Sequence, residues 1–203
     1  MSQYFSQNAI SDSYHQFSDT LVLFNLPNAR NVLSNAVLLI PAIYLLVHGK
    51  FNKLVPILLG LALSSSYYHL NPNKQTILLD MIFVITLNTV VLSYFVKKST
   101  GYIIILIGLL SVFYWNQTEN SRPYVSLQIL IFMYCVYKVY PTNAGYLLLP
   151  LLLFSFITRF SEVYDKEIYE TTNHLISGHS LKHVFAGIQI FIIIFILEKL
   201  NKI

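Results

Sequence analysis

The stretch from residue 179 to residue 197 reads HSLKHVFAGIQIFIIIFIL, an apolar run that opens with two histidines four positions apart. A helix needs roughly 20 mostly apolar residues to cross a bilayer, and this run has about that length. Six further runs of the same character precede it, at about 31–48, 54–70, 76–96, 101–116, 123–140 and 143–160. The sequence therefore predicts an all-α polytopic membrane protein built as a seven-transmembrane helix bundle.

The composition supports this prediction and excludes several classes of protein. Of the 203 residues, 55% are hydrophobic and 11% are charged, whereas a soluble domain carries about 25% charged residues. This balance excludes an ordinary cytosolic enzyme, a nucleic-acid-binding protein and a disordered chain. The formal net charge of +4 is therefore attributed to lysines and arginines in loops. Neither a nucleic-acid partner nor a protein partner is indicated.

Short polar connections separate the apolar runs and predict a single domain over residues 1–203. Residues 1–30 form a polar N-terminal segment without the apolar core of a cleavable signal. The longest connection, at about 161–178, is charged and is expected to be partly helical. The other connections carry turn-forming residues, as in His48-Gly49-Lys50, Asn71-Pro72-Asn73, Lys97-Lys98-Ser99-Thr100-Gly101, Thr118-Glu119-Asn120-Ser121 and Pro141-Thr142-Asn143.

Lysine and arginine in the short loops predict how the bundle is oriented, since cytoplasmic loops carry an excess of them. With seven spans, one side would hold Lys50, Lys53, Lys97, Lys98, Lys138, Lys199 and Lys202. The other side would hold Arg30, Lys74, Arg122, Arg159 and Lys166. Seven against five favours a cytoplasmic C-terminus and an external, periplasmic or lumenal, N-terminus.

Five polar residues inside the predicted spans are candidates for a functional site, because such groups are costly in a membrane. Ser65 and His69 lie near the end of the run 54–70, Asp80 lies near the start of the next run, and His179 and His183 open the last run. Successive spans cross the membrane in opposite directions. All five residues are therefore expected at a similar depth on the external side.

The spacing of these residues is typical of a catalytic zinc site. Residues four apart share one face of a helix, so His179 and His183 can reach a common point, as can Ser65 and His69. Three imidazoles with one open position can hold zinc together with a water of lowered pKa. Asp80 could accept a proton from that water and Ser65 could donate to it or to an oxyanion. Each histidine or Asp80 could instead serve only as a hydrogen-bond partner between helices.

Several other polar and aromatic residues could have either a functional or a structural role. Tyr67 and Tyr68 are next to His69, and one of them could line a slot for a lipid. Lys182 could neutralise a lipid head group or extend to the membrane interface. Glu162 is either a partner of the site or part of a solvated, charged loop face, which consists of Arg159, Glu162, Asp165, Lys166, Glu167 and Glu170.

In their order along the chain, these residues resemble the alkaline ceramidase family, within the seven-helix superfamily that includes adiponectin receptors and hemolysin III-like proteins. The superfamily pattern is Ser-x-x-x-His, Asp and His-x-x-x-His in helices two, three and seven, and Ser65, His69, Asp80, His179 and His183 fill it. Four further stretches resemble the small bacterial ceramidase-like branch: Asn31-Val32-Leu33-Ser34-Asn35, Tyr67-Tyr68-His69-Leu70-Asn71-Pro72, Arg122-Pro123-Tyr124 and Ser177-Gly178-His179-Ser180-Leu181-Lys182-His183. The resemblance extends from about Tyr14 to Leu197.

The resemblance implies a zinc-dependent hydrolase that cleaves the amide of a ceramide-like membrane lipid into a fatty acid and a sphingoid base. The three histidines would hold zinc, and Asp80 and Ser65 would serve the attacking water. Calcium is not expected, because the acidic calcium site of animal and fungal relatives is reduced here to Asp19 and lacks its tryptophan. Hydrolysis of another N-acyl or ester lipid, and a non-catalytic, zinc-containing lipid-binding or receptor-like role, remain open, since one fold hosts several functions.

Overall fold

The computed structural model describes residues 16–50 and 53–203, and within these ranges the only β-bridge is an isolated one between Leu23 and Leu26. The polar N-terminal segment is thus described from Gln16 onward, and residues 1–15 lie outside the described residues. The prediction of an all-α fold is confirmed. The helices are α1 (Ala29–Val47), α2 (Leu54–Leu70), α3 (Lys74–Leu92), α4 (Lys98–Thr118), α5 (Arg122–Val139), α6 (Gly145–Val163), α7 (Asp165–Thr171) and α8 (Gly178–Lys199).

Five of the described helices, α1, α3, α4, α6 and α8, are long and apolar enough to cross a membrane. Helix α2 is apolar but shorter, and α5 occupies the fifth predicted stretch, at 123–140. Helix α3 ends at Leu92, four residues before its predicted limit. The chain tightens there because the amides of Tyr94 and Phe95 bond to carbonyls three residues back, those of Val91 and Leu92.

Helix α1 is interrupted by a 3₁₀ turn at Asn35–Leu38, and the regular helix resumes at Leu39, two residues before Pro41. Pro41 has no N–H to donate to the carbonyl of Val37, so the regular ladder cannot continue through this turn. The interruption lies beside Asn31 and Asn35, which are both fully buried. Asn31 accepts hydrogen bonds from Ser177 (3.1 Å) and Ser180 (2.7 Å) at the start of α8, so the first and last long helices are joined by buried polar contacts.

Contacts between loops define two ends of the bundle. At the lysine end, Lys50 pairs with Glu198 (2.6 Å) and Lys53 bonds to Ser93. Lys199 donates to the Tyr146 hydroxyl at the same end (3.2 Å). These contacts bring together the turns that follow α1, α3, α5 and α8, as helices of alternating direction require. The opposite end, which we call the histidine end, carries the starts of α1, α3 and α8 and the end of α2.

The N-terminal segment is anchored at the histidine end by Asp19, whose side chain is fully buried. Its carboxylate accepts hydrogen bonds from the backbone amides of Leu21 (3.1 Å), Arg30 (3.0 Å) and Asn31 (3.3 Å). It also pairs with the Arg30 guanidinium at 3.4 Å. A carboxylate at this position accepts from backbone amides that have no partner within the helix. Its negative charge is stabilised by the positive end of the α1 dipole.

A second carboxylate, Asp165, stabilises the start of α8, and the prediction that it belongs to a solvated loop face was wrong. Its oxygens accept from the amides of His179 (2.6 Å) and Ser18 (3.2 Å). The turn around it is close-packed, because a Cβ on Gly178 would overlap the carbonyl oxygen of Ser161. Asp165 therefore connects α7, α8 and the N-terminal segment.

Replacing Asp165 with alanine is expected to lower the free energy of unfolding by about 1–2 kcal/mol, because the amide of His179 loses its acceptor at the helix start. The measurement is the thermal midpoint of the purified protein in detergent. Glu170→Ala is the matched control, since its pairing with Lys166 (3.7 Å) is between exposed side chains and is worth little. Equal midpoints for the two variants would contradict this role of Asp165.

Candidate metal centre

Three histidines from two helices meet at the histidine end of the bundle. His69 is in the last turn of α2, and His179 and His183 are in the first two turns of α8. One ligand atom from each of the three lies within 4.8 Å of the others, and the ring centroids are 4.8–5.0 Å apart. His69 and His183 are buried and His179 is half-buried. The predicted convergence of the three imidazoles is confirmed.

The arrangement fits a metal ion. Nδ1 of His69 is buried and has no hydrogen-bond partner among the residues that the structure describes. A buried polar atom without a partner is costly, and a metal ion at the cluster would satisfy the imidazoles. Neutral imidazoles are preferred ligands of zinc and of several other transition metals. The group His69, His179 and His183 could therefore hold a metal ion.

A serine that the sequence did not single out orients one of these rings. Ser34 Oγ lies 2.8 Å from Nδ1 of His183 and 2.9 Å from the carbonyl oxygen of Asn31. Ser34 has one proton to donate, and the Asn31 carbonyl can only accept. The chain of bonds therefore runs from His183 Nδ1–H to Ser34 and on to Asn31, which leaves Nε2 of His183 with the free lone pair. Ligating histidines are commonly oriented in this way.

Ser34→Ala is expected to weaken metal affinity roughly 10- to 100-fold, because His183 loses the acceptor that sets its tautomer and orientation. Metal affinity can be measured by competition with a chelating dye. Ser66→Ala is the matched control, since the Ser66 hydroxyl bonds to the Val32 carbonyl of α1 (3.4 Å) and not to a histidine of the cluster. Unchanged affinity in Ser34→Ala would show that the ring does not depend on this bond.

Asp80 lies in the first half of α3, is 6% exposed, and lines the same cavity as the three histidines. Ser64 Oγ is 3.4 Å from its Oδ1, and Ser65, the next residue of α2, lines the same cavity. Ser64 therefore holds the carboxylate that was predicted to act as a base. Ser64 was missed because its neighbour, Ser65, has the spacing to His69 that draws attention.

Lys182 and Glu162 form an ion pair beside the histidines. Lys182 lines the cavity, and its Nζ is 3.0 Å from Oε1 of Glu162. The other carboxylate oxygen of Glu162 is 2.6 Å from the Arg159 guanidinium. Arg159 and Glu162 belong to the last turns of α6 and not to a loop. Glu162 thus reaches the site through Lys182, which was one of its two predicted readings.

Of the two tyrosines next to His69, only Tyr68 faces the cavity. Tyr68 is 3% exposed and is part of the cavity wall, whereas Tyr67 is 50% exposed and lies outside it. Neighbouring residues on a helix point about 100° apart, so a wall that includes Tyr68 and His69 excludes Tyr67. The suggestion that Tyr67 binds substrate is therefore not supported by its position.

The N-terminal segment contacts the histidine cluster through Phe17 and Asn28. The Phe17 ring lies with its centroid 4.6 Å from that of His69 and 5.1 Å from that of His179. The side-chain amide of Asn28 donates to the carbonyl oxygen of His69 (3.0 Å). Neither residue was a sequence candidate, because both precede the first apolar run and nothing local marks their contacts.

A cavity of about 300 Å³ extends from the histidines into the bundle. Its wall follows α3 from Asp80 to Val91 and α8 from His179 to Leu197, with further residues from α2, α5 and α6. Most of the wall is apolar, with Leu, Ile, Val and Phe side chains. The cavity therefore joins a polar, metal-competent end to a long apolar space.

Comparison of the chain with known proteins found no relative. No protein-family model, no curated protein and no solved structure matches the chain. The resemblance to the alkaline ceramidase family therefore stays a prediction that depends on the five residues in order along the chain and on the four further stretches quoted with them.

Proposed function

We propose that this protein is a zinc-dependent intramembrane hydrolase that cleaves the amide bond of a ceramide-like sphingolipid into a fatty acid and a sphingoid base. The observation that carries the proposal is that the histidine cluster and the buried Asp80 open onto one apolar cavity. Such a cavity suits a substrate whose chains are apolar and whose reacting bond is polar. The family resemblance supplies the choice of zinc and of an amide bond.

The proposal includes a membrane topology. Helices α1 to α6 and α8 would be the seven spans, and α7 would lie at the membrane surface at the histidine end. The lysine end would face the cytoplasm, because it carries seven of the twelve lysines and arginines that lie in the loops or near the helix ends. The N-terminus and the site would then be external, in a periplasm or a lumen, and the C-terminus cytoplasmic.

Each residue of the proposed site has a separate role in the hydrolysis. Zinc bound by the three histidines would supply a water that ionises near neutral pH. Asp80 takes the proton from the attacking water and returns it to the amide nitrogen as the C–N bond breaks. Ser64 fixes the carboxylate of Asp80, and Ser65 donates to the oxyanion that develops on the carbonyl. Lys182, neutralised by Glu162, faces the polar part of the lipid.

The direct test is release of fatty acid from labelled ceramide by the detergent-purified protein. We expect turnover that a chelator abolishes and that added zinc restores, because the histidines must hold the metal for water to ionise. Turnover of another N-acyl lipid or of an ester, with none of ceramide, would move the proposal to that substrate class. Absence of zinc from the purified protein would contradict it.

A further inference from the structure

Two side-chain amides line the cavity well away from the histidines. Asn88 belongs to α3 and Gln128 to α5, and both belong to the cavity wall. Nδ2 of Asn88 donates to Oε1 of Gln128 at 2.9 Å. Asn88 is eight residues beyond Asp80 on the same helix, which places it roughly 12 Å deeper along the helix axis. Its neighbours in the wall along α3 are apolar, Val84, Leu87 and Val91.

This amide pair has hydrogen-bonding capacity left over. The bond between the two residues uses one hydrogen of Asn88 and one acceptor position of Gln128. Among the hydrogen bonds of the described residues, no other side-chain bond involves Asn88 or Gln128. An amide carries two donor hydrogens and an acceptor oxygen, so the pair retains at least one donor and one acceptor whichever way the amides are turned. Both residues are half-buried, and a molecule in the cavity would reach these groups.

A third side-chain amide in the cavity wall makes contacts that are purely structural and serves as a comparison. Gln189 of α8 also lines the cavity, but it is bonded at both ends to α6. Its Nε2 is 2.5 Å from Oγ1 of Thr158, and its Oε1 accepts from Ser155 Oγ at 2.9 Å. Gln189 therefore joins two helices and has its principal groups satisfied, whereas Asn88 and Gln128 satisfy only each other.

We propose that Asn88 and Gln128 form a binding site for a hydroxyl group on the chain of the lipid that occupies the cavity. Polar groups in an apolar wall are costly unless they are satisfied, and inside a membrane they mark functional positions. A hydroxyl both donates and accepts, which matches what the pair has left. The site selects an acyl chain that is hydroxylated near its middle. The identity of the bound molecule as a substrate or product depends on the proposed function, but the site itself does not.

The test is displacement of a fluorescent fatty acid from the detergent-purified, full-length protein. The competitors are octadecanoic acid and an octadecanoic acid with a hydroxyl group near the middle of its chain. We expect the hydroxylated acid to bind roughly tenfold more tightly than the plain acid, because it makes one or two hydrogen bonds more. Equal affinities in the wild type would overturn the proposal without any variant.

The double variant Asn88→Leu with Gln128→Met assigns the preference to these residues. It is expected to bind both acids with equal affinity and to keep the wild-type affinity for the plain acid, which also reports that the cavity is intact. Gln189→Met is the matched control and should keep the preference for the hydroxylated acid. A preference that survives in the double variant would show that the pair only holds α3 to α5.

Displacement requires no turnover, so the two proposals fail separately. A preference for the hydroxylated acid in a protein that hydrolyses no lipid amide would contradict the proposed function and leave the binding site standing. Amide hydrolysis together with equal affinity for both acids would contradict the hydroxyl-binding site and leave the proposed function standing.

Discussion

Replacing His183 with alanine is expected to remove bound zinc entirely, from about one ion per chain, and to abolish lipid hydrolysis. His183 is one of three imidazoles whose ligand atoms lie within 4.8 Å of each other, and it is the one oriented by Ser34. With two protein ligands left, the site falls below the three that catalytic zinc sites use. Metal content of the purified protein and fatty-acid release from labelled ceramide are the measurements.

His174→Ala is the control for this experiment. His174 precedes α8 by four residues, is exposed, and contacts the ring of Tyr169 (4.8 Å between centroids). Its removal should leave both zinc and turnover unchanged, because it lies outside the cluster. A His183→Ala protein that retains a full complement of zinc would show that the histidines are packing residues, which was the alternative left open by the sequence.

Asp80→Asn is expected to keep zinc and to lose turnover by roughly 10²- to 10⁴-fold, the range that general acid–base catalysis contributes. The amide is nearly the same size and can still accept from Ser64, so the wall of the cavity is preserved. It cannot take a proton from water. Zinc content and turnover measured on the same preparation separate this outcome from loss of the site.

Glu167→Gln is the matched control, since it makes the same chemical change at an exposed position of α7. It should have no effect on turnover or on zinc. Wild-type turnover in Asp80→Asn would remove Asp80 from the mechanism, and the carboxylate would then be a structural partner of Ser64.

The helices and the meeting of the three histidines were predictable because both depend on spacing along the chain. An apolar run long enough to cross a membrane is expected to be helical, because its backbone groups must bond within the run, and residues four apart share a face in any helix. His179 and His183 therefore had to point the same way. The opposite directions of successive helices then brought His69 to the same end. Only chain order and helical geometry were needed for these steps.

The partners of the site were not predictable, because each depends on how one helix is rotated against another. Ser34 contacts His183 across 149 positions of sequence, and Asp165 reaches the amide of His179 from a separate helix. The sequence indicated Asp165 only as one charge on a solvated, charged loop face. Tyr67 and Tyr68 were equivalent by position, and helix rotation alone decided that Tyr68 faces the cavity.

The sequence by itself determined an all-helical chain, the limits of its helices to within a few residues, and the meeting of three imidazoles at one end. These follow from hydropathy and from the 3.6-residue period of the α-helix, both of which are local properties. Only the tertiary structure decided which side chains orient His183 and Asp80, and which amides face the cavity beyond them. Those contacts join residues distant in sequence, and their geometry depends on close packing between helices, which no local pattern encodes.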